Sequence, residues 1–139
     1  MKKKLKLGMI GGGQGAFIGA VHRLSARMDD KYELVAGCLS STPERAHKSA
    51  KEIGLDPSRS YSDYFTMAEK ESRRDDGIDV VSIVTPNHMH AQPAIEFLKK
   101  DINVICDKPM TSTLEDAHKL FDTASKSRAS NSVCSLLSK

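Results

Sequence analysis

The residues of this chain whose types and spacing suit them to chemistry fall in four short stretches. The first is Gly11-Gly12-Gly13-Gln14-Gly15, set between an apolar run, Leu5 to Ile10, and a helical pattern that begins at Phe17. Glycines cost backbone entropy, so a fold keeps them where a Cβ would obstruct. Between a strand and a helix N-terminus, the group that needs such room is a pyrophosphate, held by helix N–H groups and the helix dipole. Gly11-x-Gly13-x-x-Ala16 fits the G-x-G-x-x-G/A dinucleotide fingerprint. The loop is about three residues longer than the usual form, so either Ala16 or Gly19 could fill the third position. The other stretches are Leu39-Ser40-Ser41, Thr85-Pro86-Asn87 and Asp107-Lys108-Pro109, each directly after a strand-like run. Taken alone, a lysine before a proline at a strand end reads as a solvent-exposed turn residue.

The elements that must position these stretches follow from apolar periodicity. Leu5 to Ile10 is a first strand, and Phe17, Ala20, Val21, Leu24 and Met28 lie at the spacing of one helix face. Tyr32 to Leu39 is apolar without alternation, as in a parallel strand covered on both faces. Thr42-Pro43 opens a helix with inner residues Ala46, Ala50 and Ile53, and Gly54 stops it. Leu55 to Tyr61 reads as loop with a brief extended piece, Asp63 to Ser72 as a short helix, and Glu69 to Gly77 as a solvated helix end and turn. Ile78 to Val84 is a β-branched strand, Ala91, Ala94, Ile95 and Leu98 mark another helix, and Ile102 to Cys106 is a further strand. Ser112-x-x-Glu115 reads as a capping box for a last helix with core face Leu114, Ala117, Leu120, Phe121 and Ala124. Strands alternating with helices predict an α/β fold, a Rossmann-type doubly wound parallel sheet in a single domain. Right-handed crossovers bring all strand C-termini to one edge, and with them all four stretches.

Bulk properties exclude several classes. A chain of 139 residues holds one domain with a core, and 39% hydrophobic with 28% charged residues is a globular composition. No apolar run nears the ~20 residues that span a bilayer, so no membrane role is expected. The net charge of +3 includes Lys2, Lys3, Lys4 and Lys6, but no aromatic-studded basic face accompanies them, so no nucleic-acid partner is expected. Cys38, Cys106 and Cys134 form no C-x-x-C pair, and His22, His47, His88, His90 and His118 are scattered; no metal site is expected. The thiols suit a reducing, cytoplasmic setting.

With these stretches on one edge, the chain resembles the N-terminal domain of the glucose–fructose oxidoreductase / inositol dehydrogenase / MocA family of NAD(P)-dependent oxidoreductases. The resemblance runs from about Leu5 to Ala124 and is carried by GMIGGGQGAFIGAVH, VAGCLSSTPERA, IDVVSIVTPNHMH and NVICDKP. It implies an NAD or NADP cofactor held by Gly11, Gly13, Gln14, Gly15, Ala16, Phe17 and Ile18, by Ser40, Ser41 and Arg45, by Thr85, Pro86, Asn87 and His90, and by Asp107, Lys108 and Pro109. It makes Lys108 the catalytic residue, touching a small hydroxylated substrate and assisting proton transfer, with a cis Lys108–Pro109 bond. It leaves His22 structural and His90 at most a support.

Departures from the family pattern carry their own expectations. Where many relatives have an acid at the end of the second strand, Ser40 stands here, which removes repulsion against a 2′-phosphate and tilts the cofactor towards NADP if Arg45 reaches it. The family's E-K-P glutamate is Asp107, a shorter carboxylate that can still orient Lys108. The resemblance also implies a C-terminal substrate domain that these 139 residues lack. Residues 1–124 are therefore expected to form the NAD(P)-binding domain and 125–139 an atypical serine-rich tail, suggestive of a truncated product or a shifted reading frame, with Asn131 to Leu137 as a weak edge strand. An exposed sheet edge would favour homo-oligomers. The expected activity is hydride transfer from a sugar, polyol or related hydroxyl compound; the alternative is a non-catalytic NAD(P)-binding module.

Overall fold

A computed structural model describes residues 3–134. Five strands, β1 (Leu5–Gly11), β2 (Tyr32–Cys38), β3 (Val80–Val84), β4 (Asn103–Asp107) and β5 (Asn131–Cys134), form one parallel sheet in the order β2-β1-β3-β4-β5. The helices between them are α1 (Phe17–Met28), α2 (Pro43–Glu52), α3 (Tyr64–Ser72), α4 (Ala91–Lys99) and α5 (Leu114–Lys126). The chain leaves β1 in one direction to form β2 and returns on its other side to form β3. Such a reversal opens a crevice at the strand C-termini, the usual ligand site of doubly wound sheets.

Alternate sheet residues feed two cores. Ile10, Val81, Ile83, Val104 and Cys106 pack with Met67 of α3, Phe97 of α4 and Leu120 of α5. Met9, Leu39 and Val84 pack on the other face with Ala50 of α2 and the half-buried Ile18 of α1. Burial pushes the Cys38 and Cys106 thiols up to about 12, so both remain neutral small hydrophobes.

The strand and helix pattern follows the periodicity closely, and the differences have identifiable causes. Ala46, Ala50, Ala91, Ala94, Ile95 and Leu98 are buried as their spacing predicts, and Gly54 ends α2 with φ +73°. The extended piece before Tyr61 is a single parallel bridge from Ser60 to Gly37. In α1 the expected core face points outward: Phe17, Leu24 and Met28 are exposed, and Gly19 is the buried residue. Close approach to the glycine loop selects the helix face with the smallest side chain, not the greasiest. In α5, Leu120 is buried while Leu114 and Phe121 are exposed. The α5 cap is Thr113 rather than Ser112, its hydroxyl accepting from Asp116 N–H at 3.1 Å. Glu115 instead pairs with Lys119 one turn on.

Two other expectations are corrected. Within the charged run Glu69 to Gly77, Glu71 is buried against Arg59 and Tyr61 rather than solvated. Residues 125–134 belong to the domain: α5 continues to Lys126, and β5 pairs with β4 from Asn131↔Val104 to Cys134↔Asp107. Asp101 and Asn103 tie this segment down, accepting from the N–H groups of Arg128 at 2.9 Å and Ser130 at 3.0 Å. The remainder of the expected edge strand, 135–137, lies outside the described residues.

Candidate cofactor and active site

The glycine loop joins β1 to α1, and its geometry settles the fingerprint register. A Cβ on Gly19 would lie 2.3 Å from Gly12 Cα and 2.7 Å from Gly12 O. Gly19 is therefore the glycine that lets helix and loop pack, and Ala16 is only the residue before α1. Ala16 carries no side-chain group to cap the helix, so the first-turn N–H groups of Phe17, Ile18 and Gly19 are not satisfied by a cap. At Gly15, φ is +81° and a Cβ would meet nothing within 4 Å, which leaves an open approach to the loop backbone. An uncapped helix N-terminus behind a loop kept clear of side chains fits a pyrophosphate in both shape and sign.

Neighbouring residues hold the loop in place. Arg23, one turn beyond Gly19, donates to Gly12 O at 2.7 Å, and burial lowers its pKa. Gln14 differs from the expected cofactor contact: its N–H donates to Ser49 Oγ at 3.0 Å and its amide to Glu52 Oε1 at 3.1 Å. Both of its donors thus face α2. Arg23, Ser49 and Glu52 were not among the expected site residues. Ser49 alone had a sequence signal, a hydroxyl on the Ala46–Ala50 inner stripe of α2. A hollow of about 470 Å³ opens where the loop meets α1 and α2. A larger one, about 800 Å³, lies against β2 between Lys4, Arg27, Asp30 and Glu33 and includes none of the four stretches.

The remaining stretches sit on the same sheet edge. Ser40 and Ser41 follow β2, and Arg45 is exposed in the first turn of α2, whose Thr42 cap makes no side-chain bond. Ser40 Oγ accepts from Thr42 N–H at 3.2 Å. Thr85 follows β3 with its backbone N 3.1 Å from where a Gly11 Cβ would be, so the β1 and β3 loops touch. Asp107 ends β4 and accepts from Lys108 N–H at 3.0 Å, orienting the lysine through its backbone. The Lys108–Pro109 bond is cis, and Lys108 is exposed.

His90 is placed differently from a cofactor contact. Its ring is buried between the β3 and β4 loops, with both nitrogens facing backbone carbonyls. His22 is structural, as expected: its Nδ1 lies 2.9 Å from Ser82 Oγ and ties α1 to β3. Burial lowers the His22 pKa, an effect partly opposed by Asp107. Among the described residues no group of three His, Cys, Asp or Glu side chains could hold a metal ion, and no helix is long and apolar enough to cross a membrane.

A parallel sheet with its reversal at β1 and β3, and an uncapped helix behind a glycine loop at that point, define a dinucleotide-binding Rossmann domain. The chain belongs to the Gfo/Idh/MocA oxidoreductase family with the NAD-binding Rossmann fold, whose model matches residues 5–134. It is 58% identical to a solved oxidoreductase from Sinorhizobium meliloti, with a TM-score of 0.90 over 95% of this chain and 37% of that one. It is 37% identical to an inositol dehydrogenase homologue from Azotobacter vinelandii solved with NADH and myo-inositol, with a TM-score of 0.91 over 96% of this chain and 35% of that one. Among curated relatives it is 32% identical to levoglucosan dehydrogenase of Pseudarthrobacter phenanthrenivorans, over 86% of this chain and 30% of that protein. The chain thus spans about a third of the length of the relatives it matches. It is an NAD(P)-binding oxidoreductase domain of that family.

Proposed function

We propose that this domain serves an NADP-preferring oxidoreductase that takes hydride from a carbinol carbon of a sugar, polyol or related hydroxyl compound. The observation that carries the reading is the exposed Lys108, held by Asp107 on the sheet edge that also bears the glycine loop and the Thr85 loop. The names of the relatives, levoglucosan dehydrogenase and an inositol dehydrogenase homologue among them, support a hydroxylated carbohydrate as the substrate class.

The dinucleotide, when bound, supplies the hydride acceptor. The chain's own part is to bind and orient it and to move a proton. The glycine loop and the first turn of α1 would hold the pyrophosphate, and Thr85, Pro86 and Asn87 would border the nicotinamide end. Lys108 Nζ takes the substrate hydroxyl proton as the C–H bond breaks. Assayed with NAD⁺ and NADP⁺ against a polyol and sugar panel, a complete enzyme that carries this domain together with a substrate domain should turn over, and Lys108→Ala should lower its kcat by about 10²–10⁴-fold. Dinucleotide affinity should fall far less than kcat in that variant. Binding without turnover on any member of the panel would move the reading to a non-catalytic module.

The NADP preference rests on Ser40 in place of a carboxylate and on the exposed Arg45 in the first turn of α2, free to reach a 2′-phosphate. In a fluorescence titration NADPH should bind more tightly than NADH. Arg45→Ala should weaken NADPH by roughly tenfold, the size of one hydrogen bond to a charged group, and leave NADH as it was. Equal affinities in the wild-type protein would overturn the preference without touching the family assignment.

A further inference from the structure

Three glycines in a row, Gly11, Gly12 and Gly13, carry the chain out of β1, and the first two have φ of +78° and +71°. With no Cβ on either side, the peptide unit between Gly12 and Gly13 can turn over at little steric cost. That peptide is trans, so its carbonyl and its N–H point in opposite directions. Whatever fixes the Gly12 carbonyl therefore also aims the Gly13 N–H.

The group that fixes it is Arg23. Its Nη1 donates to Gly12 O at 2.7 Å and rests on the Sδ of the buried Met9 at 3.6 Å. Bonds from a charged donor are about twice as strong as neutral ones. The guanidinium reaches the loop from the second turn of α1, half-buried at the wall of the hollow of about 470 Å³. The next amide along is engaged separately: Gln14 N–H donates to Oγ of the buried Ser49 at 3.0 Å. The Gly13 carbonyl accepts from Ala16 N–H at 3.0 Å. Among the described residues, no protein group accepts from Gly13 N–H. Of two neighbouring amides, one is thus bonded within the protein and the other is turned away from Arg23 and left free.

We propose that Arg23 is a positioning residue for the cofactor: by holding the Gly12 carbonyl it keeps the Gly13 N–H directed at the dinucleotide pyrophosphate, without touching a phosphate itself. This rests on the glycine loop as the pyrophosphate site and is independent of Lys108 and of turnover. The benefit is preorganisation. A run of glycines loses more conformational freedom on ordering than any other sequence, and a ligand that had to order it would bind more weakly. Arg23 orders it before the ligand arrives. A guanidinium that instead met the phosphate directly would act by its charge alone, and the two roles give different results.

The test pairs ¹⁵N NMR of the backbone amides of the full chain without nucleotide with fluorescence titrations of NADH and NADPH. In Arg23→Met the Gly13 amide signal should broaden or split as the peptide samples both orientations, while the Gln14 amide stays sharp. Ser49→Ala should do the reverse, disturbing Gln14 and leaving Gly13. NADH and NADPH share the pyrophosphate, so both should bind Arg23→Met roughly tenfold more weakly, the size of one hydrogen bond to a charged group. Arg45→Ala, by contrast, should affect NADPH alone. Arg23→Lys keeps a charged donor and should restore one Gly13 signal and most of the affinity. Arg23→Gln, two bonds too short to reach Gly12 O, replaces the Met variant if that one does not fold. An unchanged Gly13 amide in nucleotide-free Arg23→Met would overturn the proposal, and a loss of affinity alongside it would assign the guanidinium to the phosphate itself. A disturbed Gly13 amide with wild-type affinity for both nucleotides would overturn it too. A wild-type chain that bound neither nucleotide would remove the pyrophosphate site on which the proposal stands, a failure seen in the titrations and not in the amide spectra.

Discussion

Glu71→Ala is expected to destabilise the domain by about 3–5 kcal/mol, the usual consequence of removing one partner of a buried ion pair. The Glu71 side chain is fully buried and that of Arg59 is 7% exposed. The carboxylate receives Arg59 Nη2 at one oxygen, and Arg59 Nε at 3.1 Å and Tyr61 Oη at 2.7 Å at the other. Burial and the adjacent carboxylate hold the Tyr61 hydroxyl above its ordinary pKa, so it remains a donor. Without Glu71, a guanidinium and a phenol would be left in the core. Arg59 would retain only Asp76, through its carbonyl at 3.3 Å and its half-exposed carboxylate at 3.5 Å. Urea denaturation would show the midpoint falling with the slope unchanged. The double variant Arg59→Met/Glu71→Leu should recover most of the loss, because it removes both charges together. A loss below about 1 kcal/mol for Glu71→Ala would mean that water reaches Arg59 and that the cluster is not a buried pair in solution.

That cluster also shows where a sequence stops being readable. EKESRRDDG has the composition of a solvated surface, and nothing in the run distinguishes Glu71 from Glu69. What buries Glu71 is Arg59, twelve residues upstream in a stretch without periodicity. A buried charge is legible only when its partner is, and partners brought together by tertiary structure leave no local pattern. The strands were legible for the opposite reason. Val80 to Val84 is covered on both faces, so every residue must be apolar or small, and that demand is written locally. Helix faces were legible where the sheet beneath needed volume, as in α2 and α4. They were misread where contact was closest: α1 presents Gly19 and His22 inward, while Phe17, Leu24 and Met28 face out. The candidate site shows the same division. The four stretches announce themselves by glycines, prolines and one lysine, because those types answer backbone demands. Their supports, Arg23, Ser49 and Glu52, are ordinary helix residues whose roles depend on which loop lies against them.

Gly19→Ala should cost about 1–3 kcal/mol, as overpacking does, and weaken dinucleotide binding at least tenfold. The added Cβ would sit 2.3 Å from Gly12 Cα, 2.7 Å from Gly12 O and 2.9 Å from Gly12 C. All three are backbone atoms, so no side chain can swing aside and relieve the contact. Either α1 lifts from the sheet or the loop moves towards the space it keeps open. Both displace the first-turn N–H groups from the loop they face, and both strain the Arg23 bond to Gly12 O. Gly54→Ala supplies the control. Its φ of +73° also disfavours a Cβ, but nothing lies within 4 Å, and Gly54 does not line the hollow at the loop. It should lose about 1 kcal/mol from backbone strain and bind NADPH as tightly as the wild type. Thermal unfolding with and without NADPH separates the two effects, since a ligand that binds only the folded state raises Tm by an amount that grows with the logarithm of its affinity. Gly54→Ala should start lower and gain the full ligand shift, whereas Gly19→Ala should start lower and gain little. If Gly19→Ala kept the full shift, the loop would be tolerating a retreat of α1, and the close contact at Gly12 would not be what shapes the phosphate site.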